Sequence, residues 1–224
     1  MIPLELVDTA ALPDGGELRL MRRGQDYSIL FGRNELMSSR LRGSEEALAT
    51  LGCEGLSGQA APRVLIGGLG MGFTLRAALD ALGPGATIVV AELIPSILAW
   101  AKGPLAHLYG ACLDDPRVTV RIVDVRAAIA AHSQYWDAIL LDVDNGPDGL
   151  IHAGNDRLYS NAGLQAALRA LKPGGKLAVW SAYADNAFTA RLRNAGFAVD
   201  ECKVRATGGR KGAHHVIWIA ARRG

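Results

Sequence analysis

The chain is poor in cysteine, with three among 224 residues. Cys53, Cys112 and Cys202 lie far apart and make no C-x-x-C pair. That excludes a disulfide framework and the paired ligands of a structural zinc site, so no metal and a reducing compartment are expected. An excess of one charge is also lacking. Against 24 Lys and Arg stand 22 Asp and Glu, a net charge of +2. A dedicated nucleic-acid binder carries a stronger basic surplus, so no nucleic-acid partner is expected. No apolar run is long enough to span a bilayer, so no membrane partner is expected either. The first residues, MIPLELVDTA, hold neither a basic n-region nor a long apolar h-region. A cytoplasmic protein is the expectation. Repeats and low-complexity segments are missing from the sequence as well.

What remains is a chain that is 50% hydrophobic, enough for a sizeable core. Residues 1–60 read as a small extension. Short apolar runs at Pro3–Val7, Glu17–Met21 and Tyr27–Phe31 alternate with turns such as Pro13-Asp14-Gly15-Gly16 and Arg23-Gly24. This pattern predicts a few antiparallel strands. A helix follows, with Ser44 as N-cap and Glu45 and Glu46 in its first turn.

Residues 61–224 read as the main domain. Strands are expected at 63–67, 86–91, 118–123, 137–141 and 175–180. Helices are expected at 72–82, 95–101, 125–132, 160–171 and 185–195. The strands are continuous apolar runs (VLIG, TIVVA, AILLDV, KLAVW) rather than alternating ones. Strands buried on both faces of a parallel sheet need that composition. Pro173-Gly174-Gly175 reads as a turn before the fifth strand. At the end, Phe197–Val204 and His214–Ala221 have no helix between them and predict an antiparallel hairpin. The fold class is α/β: a Rossmann-like, mostly parallel sheet with a terminal hairpin and a small N-terminal β extension.

The stretch from Arg63 to Glu92 is strand, glycine turn, helix, strand and acid. Glycine admits close approach of backbone to a ligand, and the carboxylate after the second strand is placed to take ribose hydroxyls. A dinucleotide site reads G-x-G-x-x-G. Here Gly68, Gly70 and Gly72 read G-x-G-x-G. That spacing, with the terminal hairpin, resembles class I S-adenosylmethionine-dependent transferases. The expected cofactor is S-adenosylmethionine or its decarboxylated form. The expected contacts are Gly68, Leu69, Gly70, Gly72, Glu92 and Leu93, with Asp124 accepting from the adenine amine and Val125 lining the ring. Leu69, Ile94 and Val143 are expected to enclose it. Asp124 also reads as the N-cap of the helix after it.

A narrower likeness runs through GLGMGFTLR, VVAEL, DDPRVTVRIVDVRAAI, WDAILLDVDNGP and LYSNAGLQAALRALKPGG. In order and spacing these resemble the spermidine synthase (polyamine aminopropyltransferase) superfamily, from about Arg63 to Trp180. The N-terminal GRNELMSSRLRGSEEALA resembles that superfamily's entry to the domain more weakly. The resemblance implies the class I methyltransferase fold, a nucleoside donor and a dimer. It implies a catalytic loop with two aspartates: the first falls on Asp142, the second on Asn145, with Asp144 one residue earlier. The acid implied to hold the donor's aminopropyl nitrogen falls on Met71, and a second falls on Ile94. Methionine cannot accept that charge-assisted bond. This favours an intact, carboxylated donor, and hence methyl transfer to a small-molecule acceptor. Aminopropyl transfer is the alternative, and a non-catalytic nucleoside-binding protein is the alternative of another class.

Ligands of open α/β sheets lie at the carboxyl ends of the strands. There Asp142 is expected to orient the acceptor or act as its general base, with Asp144 and Asn145 shaping the acceptor site. An Asp/Asn/Gly/Pro turn without chemistry is the plain alternative. His152, Asn155, Arg157, Ser181 and Tyr183 are further candidate contacts, as are Arg210 and Lys211 between the last strands. His214 and His215 adjoin in a strand and so face opposite sides.

Overall fold

The computed structural model describes residues 2–13, 15–143, 157–207, 209 and 212–224. Four antiparallel strands come first, in spatial order: β1 (Glu5–Ala11), β2 (Glu17–Arg23), β3 (Asp26–Phe31) and β4 (Asn34–Ser38). Helix α1 (Gly43–Gly52) leads into the main sheet. That sheet holds β5 (Arg63–Gly67), β6 (Thr87–Glu92), β7 (Val118–Ile122), β8 (Trp136–Leu141) and β9 (Leu171–Ser181). It is completed by β10 (Phe197–Arg205) and β11 (His214–Arg222). The order is β10-β11-β9-β8-β5-β6-β7. The pairs from β7 to β9 are parallel, and β11 is antiparallel to both its neighbours. This is the expected mostly parallel sheet with a terminal hairpin.

The remaining helices are α2 (Phe73–Ala81), α3 (Pro95–Lys102), α4 (Ala106–Tyr109), α5 (Val125–Ala130), α6 (Asn161–Ala170) and α7 (Asn186–Asn194). The central strands show why their sequences do not alternate. Successive side chains point to opposite faces, and both faces are covered. Val64, Ile66, Leu140 and Ala178 pack in one core with Leu48 of α1, Leu75 of α2 and Trp100 of α3. Leu65, Ile139, Leu141 and Val179 pack in the other with Ile129 of α5, Leu164 of α6 and Phe188 of α7. All six residues of β8 are buried.

The N-terminal sheet belongs to the first core through Leu18, Leu20 and Ile29. Trp100 of α3 donates its indole N–H to Asp8 of β1 at 2.7 Å, tying sheet to helix. The start of α1 is tied to the end of the hairpin by Gly43 N–H to the Ala206 carbonyl, at 2.8 Å.

Two local expectations differ. Pro173-Gly174-Gly175 does not precede β9 but lies within it. Pairing with β8 passes from Trp136↔Leu171 to Ala138↔Lys176, so the segment bulges between two paired stretches. Ser44 does not cap α1: the helix starts at Gly43, two residues earlier than expected, with Arg42 at the cap position. The Ser44 hydroxyl is thereby free for a different contact.

Candidate functional site

Gly68 and Gly72 have φ of +90° and +81°, values that L side chains rarely adopt. Space forbids a side chain there too. A Cβ on Gly68 would lie 2.4 Å from the Asp142 carbonyl oxygen, and one on Gly72 would lie 2.5 Å from the Tyr109 ring. The turn is thus pressed between the end of β8 and α4. Tyr109 also donates its hydroxyl to the Gly70 carbonyl at 2.6 Å.

Glu92 at the end of β6 is 6% exposed. One carboxylate oxygen accepts from Leu69 N–H and the other from Ile94 N–H, both at 2.8 Å. Burial raises its pKa, and the backbone donors oppose that rise. The Leu93 and Gly70 N–H groups act on it in the same sense, so the carboxylate sits among four backbone donors. Asp124 caps α5, accepting from Arg126 N–H at 2.8 Å, and pairs with the Arg126 guanidinium at 2.5 Å.

A cavity of about 110 Å³ opens at the carboxyl ends of β5, β6 and β8. Gly68, Gly70, Glu92, Leu93, Ile94, Asp124, Val125, Asp142 and Val143 line it. The structure therefore brings most of the expected cofactor contacts together. Two are placed differently. Leu69 is turned into the core, and only its N–H serves the site, through Glu92. Gly72 lines a second cavity instead. The opposite wall of the first cavity was not read from the sequence: Leu12, Leu18, Ile29, Leu36 and Met37 of the N-terminal segment form it. Nothing in their local pattern distinguishes them from ordinary core residues of a small sheet.

The second cavity, of about 220 Å³, shares Leu36, Met37, Gly70 and Asp142 with the first. Glu35, Glu45, Met71, Trp180, Tyr183 and His215 also line it. Asp142 accepts from the Thr74 hydroxyl at 2.6 Å. Burial pushes its carboxyl up to about 6, against the lowering effect of Thr74. Glu45 of α1 stands near it. Its carboxyl is pushed up to about 8, first by burial and then by the charge of Asp142, although Ser44 donates to it at 2.7 Å. Three carboxylates, Glu35, Glu45 and Asp142, thus share this cavity, and Glu45 was not among the residues expected from the sequence. A first-turn acid is usually read as helix-dipole complementation, and only the tertiary fold brings it to Asp142.

Among the described residues lining the two cavities there is no Lys or Arg. Asp144, Asn145, His152, Asn155, Arg210 and Lys211 lie outside the described residues. Arg157 is exposed and lines neither cavity, and Ser181 is buried beside the second, accepting from Tyr183 N–H. Tyr183 is 80% exposed at the rim. His214 is exposed and His215 half-buried, on opposite sides of β11 as strand geometry requires. Among the described residues no group of three or more His, Cys, Asp and Glu is arranged to hold a metal, and no helix is long and apolar enough to cross a membrane.

No protein-family model matches the chain. Polyamine aminopropyltransferases of Mycobacterium tuberculosis and Mycobacterium bovis are 34% identical to it over 146 residues. The match covers 61% of this chain and 27% of those proteins, so the chain spans about a quarter of their length. Among solved structures, a spermidine synthase in complex with the transition-state analogue AdoDATO superposes with a TM-score of 0.75 at 16% identity. That superposition covers 97% of this chain and 72% of the other. The spermidine synthase of Thermotoga maritima gives the same figures. The chain thus resembles polyamine aminopropyltransferases in sequence over those residues and shares the fold of the spermidine synthases.

Proposed function

We propose that the chain is a spermidine synthase-like transferase that moves an aminopropyl group from decarboxylated S-adenosylmethionine to an amine. One observation carries this reading: Glu45 and Asp142 line the second cavity, and among its described lining residues there is no Lys or Arg. A carboxylate held away from water without a cation is costly. A donor bearing a sulfonium and an ammonium, and an acceptor amine, would supply the missing positive charge. An intact S-adenosylmethionine would add a further carboxylate to the first cavity. The homology with polyamine aminopropyltransferases supports the same choice.

The residues fit the nucleoside. Glu92 would take the ribose hydroxyls, and Asp124 would accept from the adenine amine. Ile94, Val125 and Val143 offer apolar walls to the base. When bound, the donor supplies an electrophilic carbon beside its sulfonium sulfur. Asp142 lines both cavities, so it would stand between donor and acceptor. Together with Glu45 it would hold the acceptor amine and take its proton. Most of the acceleration would come from aligning the two reactants.

Methyl transfer has one observation in its favour. Met71, 3% exposed, lines the acceptor cavity where the resembling superfamily carries an acid. A single experiment separates the readings. The purified chain is given a panel of primary amines with either the decarboxylated or the intact donor, and products are identified by mass spectrometry. Aminopropylated amine with release of methylthioadenosine is expected from the decarboxylated donor. Methylated product from the intact donor, with none from the other, would overturn the proposal.

A further inference from the structure

A chain of hydrogen bonds leads away from the acceptor cavity. The Glu45 carboxylate accepts from the Ser44 hydroxyl at 2.7 Å. The same hydroxyl oxygen lies 2.9 Å from Nδ1 of His215. His215 itself lines the cavity, half-buried on β11, with its ring edge-on to Trp180 at 4.7 Å. Ser44 is available for this because α1 starts before it and Arg42 takes the cap position. A buried serine between a carboxylate and an imidazole is the arrangement of a proton wire: a hydroxyl accepts on one side and donates on the other.

We infer that Ser44 and His215 form a proton relay that returns Glu45 to its ionised state after each transfer to an amine. The inference rests on the amine-transfer reading above. As the new C–N bond forms and the C–S bond breaks, the nitrogen gains positive charge and releases a proton to Glu45. Glu45 passes a proton to the Ser44 oxygen, and Ser44 gives its own to Nδ1 of neutral His215. The imidazole then releases the proton from Nε2 to solvent, and the three groups are ready again in the opposite tautomer. When Glu45 is next protonated, the ring re-equilibrates to the Nε2–H tautomer and the hydroxyl turns toward Nδ1 before the proton is passed on. Charge and protons balance with no further reactant. Burial lowers the His215 pKa, so the ring is neutral near neutral pH and holds the relayed proton only in passing to solvent. The ionisable groups that share its cavity among the described residues are Glu35, Glu45, Asp142 and Tyr183.

The relay is testable first without turnover. Nitrogen-15 NMR of the free protein reads which ring nitrogen of His215 carries the proton. With Glu45 ionised the hydroxyl points to the carboxylate and Nδ1–H donates to it; with Glu45 protonated the direction reverses. The tautomer ratio of His215 is expected to change as Glu45 titrates, and Ser44→Ala is expected to abolish the change. A ratio constant with pH, or one that changes equally in the Ser44→Ala variant, would overturn the relay. Turnover gives the second test. His215→Ala is expected to lower kcat on the order of 10- to 100-fold, a modest share of what general acid–base assistance supplies. Added imidazole should restore part of the rate. Ser44→Ala should lower kcat similarly, with no rescue, and His214→Ala on the exposed side should be unchanged. His215→Ala retaining the wild-type rate, or losing rate without imidazole rescue, would overturn the relay while leaving amine transfer intact. A wild-type chain that modifies no amine would sink both.

Discussion

Asp142 is the residue on which the two cavities meet, and its surroundings decide what it can do. Thr74 donates to one of its oxygens at 2.6 Å, and burial moves its pKa to about 6, inside the range where a carboxylate exchanges protons usefully. Asp142→Asn keeps the shape and removes the basicity. Its expected effect is a fall in kcat of about 10²- to 10⁴-fold with an unchanged far-ultraviolet circular dichroism spectrum. A variant within threefold of wild type would remove Asp142 from the chemistry. Glu92 makes a different prediction, because both its oxygens already accept from backbone N–H groups. Glu92→Gln turns one acceptor into an NH₂ group facing a donor in a buried place. A loss of about 1–3 kcal/mol in unfolding free energy is expected, since a buried donor is left unpaired. Chemical denaturation measures it, and calorimetry with the nucleoside should show weakened binding in the same variant.

Among the elements, the glycine turn between β5 and α2 carries the sharpest structural demand. Gly68 combines a positive φ with a backbone carbonyl 2.4 Å from where a Cβ would stand, and that carbonyl belongs to Asp142. Backbone cannot swing aside as a side-chain end can, so Gly68→Ala should displace the end of β8 together with its carboxylate. Loss of nucleoside binding and a lower melting temperature are expected. Gly58→Ala, at a site with open space and no positive φ, is the control and should stay within about 0.5 kcal/mol of wild type. The sequence carried this element openly, for the same reason: a run of apolar residues, glycines at fixed offsets and a terminal acid are local signals. β5, β6 and β8 were legible because strands buried on both faces cannot alternate. β4 was not, since NELMS has neither a long apolar run nor a clean alternation. Glu45 was legible only as a helix-start acid, and Ser44 only as its cap. Their meeting with Asp142 and His215 is made by the packing of α1 against β9 and β11, which no local pattern encodes.

For the molecule as a whole, the carboxylate-lined cavities make the free protein sensitive to rising pH. Glu45 titrates at about 8 in the fold against an ordinary 4.5, and Asp142 at about 6 against 3.8. Both values are raised, so the fold favours the neutral forms. Their contribution to stability is complete below the ordinary values and is lost as pH rises through the folded ones. Asp115, lowered to about 2 by its bond to Arg117, acts only in acid, and His215, lowered by burial, acts below the ordinary histidine range. From pH 7 to 8 the change therefore belongs chiefly to Glu45, with buried Glu92 acting in the same direction, and toward pH 9 the Cys53, Cys112 and Cys202 thiols, all raised by burial, add to it. The melting temperature of the free chain should fall across that interval, by about 2–4 °C for each kcal/mol in a protein of this size. Glu45→Gln should flatten the fall. A bound diamine should flatten it too, because an ammonium beside Glu45 stabilises the ionised form and returns its pKa toward the ordinary range. A carboxylic-acid ligand should not. Scanning calorimetry at pH 7, 8 and 9, with and without amine, reads all of these outcomes. If the amine gave no more protection at pH 9 than at pH 7, Glu45 would not be the group that meets it.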